Sequence, residues 1–410
     1  MTAPIKHKSR VRKLSIYGWY LAACAIAFGL EHLVPQSHEP FFLGQQAYYQ
    51  RIVTMTAREV APRYTVIVSL NTGNDPTAKG LASNLCEQRR YLAALIPAIA
   101  AQRPSVLVID KVFLASGCLR GDATAQMTKA FERASAMTRI VVGSEIDRGR
   151  APTAAGHRLR PSLDFGDGLA SGLINTDVDN RKIPLRWQVV DRSGASVAAQ
   201  SLSLKTATLY RPDLIARSAK LPGFVDRATN PFISFVLPID FVVLQAGALL
   251  CADAAARRDF ADDCAALAAD PATRHADVAG KIVVLGEDTE GLDVHRSVIG
   301  DVKGTMLQAN YIEALLDGRF FAPVPWWIEL AAAFLFFVAL QLALERRSVV
   351  RAVLAVVAVV VVTAILQTFV ATFLGYYFDP WLSLLVFVLK LIDAVTHRIR
   401  SIPAGDPHTA

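Results

Sequence analysis

The hydrophobic pattern along the chain changes character three times. Leu14 to Leu30 is seventeen residues without a charge, preceded by Lys6, Lys8, Arg10, Arg12 and Lys13 and followed by Pro35. Near the other end, Leu330 to Leu344, Ala352 to Phe378 and Pro380 to Leu389 are again uncharged, and Trp326 and Trp327 precede the first of them. A bilayer core takes about 20 apolar helical residues, and aromatic and basic residues mark its interfaces. The pattern therefore predicts four transmembrane helices, at 14–35, 326–345, 349–374 and 380–396.

Between them the period changes. Tyr64–Leu70, Ser105–Asp110, Arg139–Gly143 and Lys281–Gly286 are short continuous apolar runs, rich in Val and Ile. Helix-like segments separate them, at about 81–102, 123–136 and 306–316, and Gln45 to Pro62 also reads as helical. Buried strands alternating with helices predict a mostly parallel sheet covered on both faces. Residues 144–168 read as a surface excursion, Ile183 to Val190 as a hairpin strand and Ala198 to Tyr210 as a helix. The fold class is thus an α/β domain with a mostly parallel sheet plus four transmembrane α-helices, one before it and three after.

Charge orients this plan. Ten Lys/Arg flank the apolar stretches, the five already named with Arg346, Arg347, Arg351, Arg398 and Arg400. They share one side if residues 1–13 and 397–410 are cytoplasmic tails and 36–325 is an external domain. The expected placement is a multi-pass protein of the inner (plasma) membrane, with a periplasmic or extracellular domain and the bilayer as a partner. Residues 36–325 carry a net charge of only +2 and the rest of the +7 lies in the flanking segments, so charge gives no reason to expect a nucleic-acid partner. Leu21-Ala22-Ala23-Cys24 resembles a lipoprotein cleavage box, but the apolar run continues past it, which favours an anchor.

Of the five cysteines, Cys86, Cys118, Cys251 and Cys264 fall in the external domain. Four cysteines allow three pairings; an oxidising compartment favours disulfides over buried thiols. Cys86 opens a helix and Cys118 follows the next strand, which puts both at one edge of the sheet. The favoured pairs are Cys86–Cys118 and Cys251–Cys264. No CxxC pair suggests zinc.

Several segments together resemble a CHASE domain of the second type, a sensory module found beside cyclases and histidine kinases. They are Val106 to Phe113 with Asp110; Gly172-Leu173-Ile174-Asn175 followed by Asp179, Arg181 and Pro184; Gly280 to Gly286; Gly304, Ala309-Asn310 and Leu315-Leu316; and Gly318-Arg319-Phe320 with Pro323 to Trp327. The resemblance covers roughly residues 40–325. Departures fall at Leu70-Asn71-Thr72, where acidic residues are common, at Glu287 and Asp288, where small ones are usual, and at Gln308, where histidine is frequent.

No catalytic, nucleotide-binding or metalloprotease motif occurs. Gly166-Asp167-Gly168-Leu169-Ala170-Ser171-Gly172 superficially suggests a phosphate-binding loop but reads as a flexible turn, and Asp177-Val178-Asp179-Asn180 lacks the glycine of a calcium loop. The candidate ligand-binding cluster is Asp110, Glu287, Asp288, Asp293 and His295, because ligands of open α/β sheets bind beyond the carboxyl ends of the strands; solvated loop charges are the alternative. The reading is of a non-enzyme without cofactor or metal. Its external domain would detect a stimulus and relay it through the membrane helices to a separate signalling protein, since fourteen residues after the last apolar stretch leave no room for an output domain. A homo-oligomer is compatible with this. The alternative is a structural or assembly factor that binds other envelope proteins.

Overall fold

The computed structural model describes residues 61–377 apart from short loop stretches, the longest being 176–184, 218–231, 234–239 and 269–276. Contacts divide the chain into a unit at Leu43–Phe320 and a second containing Phe321 onwards.

The first unit is built on a six-stranded sheet. Its strands are β1 (Thr65–Leu70), β2 (Val106–Asp110), β3 (Arg139–Ser144), β4 (Ala170–Leu173), β7 (Val243–Gln245) and β8 (Ile282–Glu287), with the hairpin β5 (Arg186–Val190) and β6 (Ser196–Gln200) set apart. The order is β4-β3-β2-β8-β1-β7, and every pairing is parallel. Strand β8, late in the sequence, lies between β1 and β2. Thr65 to Leu70 pairs with Ile282 to Glu287, and Ile282 to Gly286 pairs with Val106 to Asp110.

Successive side chains of a strand point to opposite faces, and both faces here are buried. Val66, Val68, Leu70, Leu107, Ile109, Val283 and Leu285 pack against helices α1 (Leu85–Ala101), α2 (Gly121–Ser135) and α4 (Ala246–Ala252). Ile67, Val106, Val108, Ile282 and Val284 pack against α3 (Leu202–Tyr210) and α6 (Gly304–Asp317). This is why these strands read as continuous apolar runs. Each fully buried Val, Leu or Ile contributes about 1.5–3 kcal/mol.

Local chemistry sets the helix ends. Asn84 accepts a hydrogen bond from the Glu87 amide at the start of α1 (3.2 Å), the first half of a capping arrangement. Gly318 ends α6 in the left-handed region at φ 66°, where a glycine cap is favoured. Helix α3 is shorter than the pattern predicts: Ser196 to Gln200 is strand, and Ser201 caps a helix that begins at Leu202. The flexible turn expected over 166–172 is corrected at its end: Ala170–Leu173 forms the edge strand β4, paired in parallel with β3. Cys86–Cys118 and Cys251–Cys264 are both disulfides; the second ties α4 to α5 (Ala261–Ala268).

The second unit corrects the membrane plan. It holds α7 (Trp326–Leu344) and α8 (Val349–Phe369), at the places of two expected spans. Glu329 sits in the first turn of α7, which leaves the fifteen uncharged residues Leu330–Leu344, about 22 Å of helix. In α8, Arg351 precedes eighteen uncharged residues, after which the chain turns to π-helix at Val370–Leu374. That is about 27 Å, against a core of about 30 Å. No helix among the described residues is long and apolar enough to cross a membrane. The four transmembrane helices, the multi-pass inner-membrane placement, the bilayer as a partner and the relay through membrane helices thereby lose their structural support. The expected spans at 14–35 and 380–396, both tails and the helix at 45–62 lie outside the described residues or nearly so.

Candidate functional site

The position of β8 creates the site. Its neighbours β1 and β2 lead into helices on one face of the sheet, whereas β8 leads through the hairpin β9 (Val294–Ser297) and β10 (Gly300–Lys303) into α6 on the other. Adjacent strands whose connections leave in opposite directions open a crevice at their carboxyl ends, the usual ligand position in open α/β sheets. Asp110 ends β2 opposite Gly286, and Glu287 ends β8 opposite Leu70.

The five predicted residues divide into two groups. Asp288 faces β1: its Oδ2 accepts from the Ser69 hydroxyl (2.9 Å), and its amide donates to the Leu70 carbonyl (3.2 Å). The other four lie towards β2. Glu287 faces the Lys111 ammonium at 3.9 Å and accepts from the Thr289 hydroxyl. Asp293 Oδ1 is 2.9 Å from His295 Nε2. Partly buried Asp110 shares its surroundings with Asp293, His295 and Lys111.

The electrostatics follow from burial. Loss of solvent raises the Asp110 carboxyl from its ordinary 3.8 to about 7, and the nearby Asp293 charge adds to the effect. His295 and Lys111 oppose it. Burial lowers the Lys111 ammonium, while Glu287, Asp110 and Asp293 pull it back up. Desolvation and neighbouring charge are the two general causes of such shifts.

Two close approaches fix the loops around these groups. A Cβ on Gly286 would collide with the Thr305 hydroxyl, and one on Gly304 with the Asp293 carboxylate. Asp293 itself has φ +48°, a left-handed conformation that Asp and Asn tolerate better than most residues. Lys111, Ser69 and Lys303 were not predicted. Lys303 Nζ donates to the Thr289 carbonyl at 2.6 Å. Their only sequence signal was proximity to strand ends. No group of three His, Cys, Asp or Glu among the described residues is placed to hold a metal ion. Residues 166–168 of the expected glycine turn and the acidic turn at 177–180 lie outside the described residues.

The chain belongs to the CHASE2 domain family, which it matches over residues 35–343. That family is a non-catalytic sensory one. No curated protein and no solved structure matches the chain.

Proposed function

We propose that this protein is an envelope factor that works by binding another envelope protein, with the carboxyl edge of its sheet as the recognition surface. The observation that carries the reading is the convergence of Asp110, Lys111, Glu287, Asp293 and His295 at the switch point beside β8. Both disulfides support an oxidising compartment. The surface is polar and acid-rich, so it suits a partner that presents basic or hydrogen-bond-donating groups.

Site-specific photo-crosslinking in the full chain tests this. A crosslinker at Val294, exposed on the hairpin, is expected to capture a reproducible envelope protein. One at Met137, exposed at the opposite edge of the sheet, is expected not to. Equal capture at both positions, or none at Val294, rejects the reading.

A further inference from the structure

Helix α6 is in polar contact with both edges of the sheet. At its start, the Gly304 amide donates to the Asp293 carbonyl (2.9 Å), and the Thr305 hydroxyl reaches the Glu287 carbonyl (3.4 Å). One turn on, Gln308 Nε2 donates to the Ile174 carbonyl beyond β4 (3.3 Å). At the other end, the fully buried Glu313 carboxylate accepts from the amides of Arg63 (3.1 Å), Tyr64 (2.8 Å) and Thr65 (2.7 Å) and from the Thr65 hydroxyl (2.8 Å). Asp317 follows, 3.9 Å from Arg63 and 3.0 Å from Arg319.

The helix between these contacts is embedded. Of its fourteen residues twelve are buried, and Leu307, Tyr311, Ile312 and Leu315 are part of the core. Its length is about 21 Å. A close-packed helix does not deform continuously, so a shift imposed on its first turn must be taken up as movement of the whole rod or resisted by the whole rod. Glu313 is where such movement registers. Four donors converge on one carboxylate, and a tilt or slide lengthens several of these bonds together.

We propose that α6 is a coupling rod: occupancy of the carboxyl edge at Asp293 and Thr305 changes how firmly Glu313 holds Arg63 to Thr65, the lead-in to β1. The biological use rests on the partner-binding reading above, but the coupling is a property of the free protein. A partner acts through it only by preferring one position of the rod. Coupling between two sites is also reciprocal.

Hydrogen exchange on the full chain tests this, because the amides of Arg63, Tyr64 and Thr65 are themselves Glu313's donors. Asp293→Asn keeps the left-handed backbone favourable and perturbs only the carboxyl edge. It is expected to speed exchange at those three amides about tenfold, within the usual range of coupling. Lys303→Met, which removes the contact to the Thr289 carbonyl, is a second perturbation of that edge with the same expectation. In the reverse direction, Thr65→Val removes one of the four donors and is expected to speed exchange of the Gly304 amide by a similar factor. Exchange in the hairpin of β5 and β6, set apart from the main sheet, should stay unchanged in all three variants. Changes confined to the mutated edge, or a uniform rise that includes this hairpin, overturn the proposal. No partner is present in this measurement, so failed crosslinking with intact coupling rejects the binding reading alone, and the converse result rejects the rod alone.

Discussion

The two edges of the sheet hold their charges differently. At the amino edge, Glu313 is surrounded by donors, Asp317 has two arginines, and Lys281 donates to the Arg63 carbonyl at 2.7 Å. At the carboxyl edge, Asp110, Glu287 and Asp293 gather around Lys111 and His295. That edge is secured covalently by Cys86–Cys118 and by buried Arg89, which donates to the Cys118 and Leu114 carbonyls and to the Thr124 hydroxyl. A buried acid ringed by donors specifies the fold, whereas the acid-rich edge is held by a covalent staple and by Arg89.

The sharpest way to break this contrast is Glu313→Ala. It removes the acceptor of three backbone amides and a hydroxyl, those of Thr65 buried and those of Arg63 and Tyr64 partly buried, at about 1–3 kcal/mol for each group that finds no water. A loss of about 3–5 kcal/mol in urea unfolding is expected; a loss below about 1 kcal/mol would remove the amino edge from its structural role. Next comes Cys86→Ser with Cys118→Ser. The loop closed by this bond separates its cysteines by 32 residues, against 13 for Cys251–Cys264. Loop-closure entropy gives about 4 kcal/mol for the first and about 3 for the second. A reversed order in thermal unfolding of the two double variants would show that chain entropy does not rank these staples.

Asp110 gives a smaller, pH-dependent effect. Its folded pKa, about 7, lies above its ordinary 3.8. The folded state therefore binds more protons between these values, and stability falls as pH rises through that window. The wild type is expected to lose about 2 kcal/mol relative to Asp110→Asn between pH 4 and 7, after allowance for partial exposure. Parallel stability profiles for the two proteins would place Asp110 in an ordinary solvated setting. The smallest change is expected for Asp293→Asn, about 1–1.5 kcal/mol in stability, the global counterpart of tenfold faster exchange at Arg63 to Thr65, with crosslinking at Val294 reduced. A large stability loss there would make the carboxyl edge as structural as the amino edge.

Much of the fold was legible because its strands are buried on both faces. Val66 to Val68, Val106 to Ile109 and Ile282 to Leu285 leave no polar position to interrupt the run. Strand β4 was not legible as a strand, because Ser171 and Gly172 carry no apolar pattern and Gly172 lies against the backbone of Leu202. Glu313 was invisible for a different reason. A lone acid in a helix-like segment reads as solvent-facing, and its donors are 248 or more residues away in the sequence. At the candidate site, Asp110 and Glu287 were named from strand ends, but that β8 lies between β1 and β2 is tertiary information. The apolar stretches near the end misled because lack of charge was counted without the breaks in helical geometry. Glu329 in the first turn of α7 and the π-turn after Phe369 shorten both helices.

The order of the disulfides bears on how the protein is made. Cys86 joins Cys118, and Cys251 joins Cys264, so neither bond encloses or crosses the other. Within the domain, an oxidant that links these four cysteines in chain order joins each to its native partner. Of the three pairings that four cysteines allow, this is the one that needs no later rearrangement. The first bond can close once β1, α1 and β2 have emerged, well before β8 arrives to fill the gap between them. Maturation therefore calls for an oxidase more than for an isomerase, and the late step left to the chain is the insertion of its central strand.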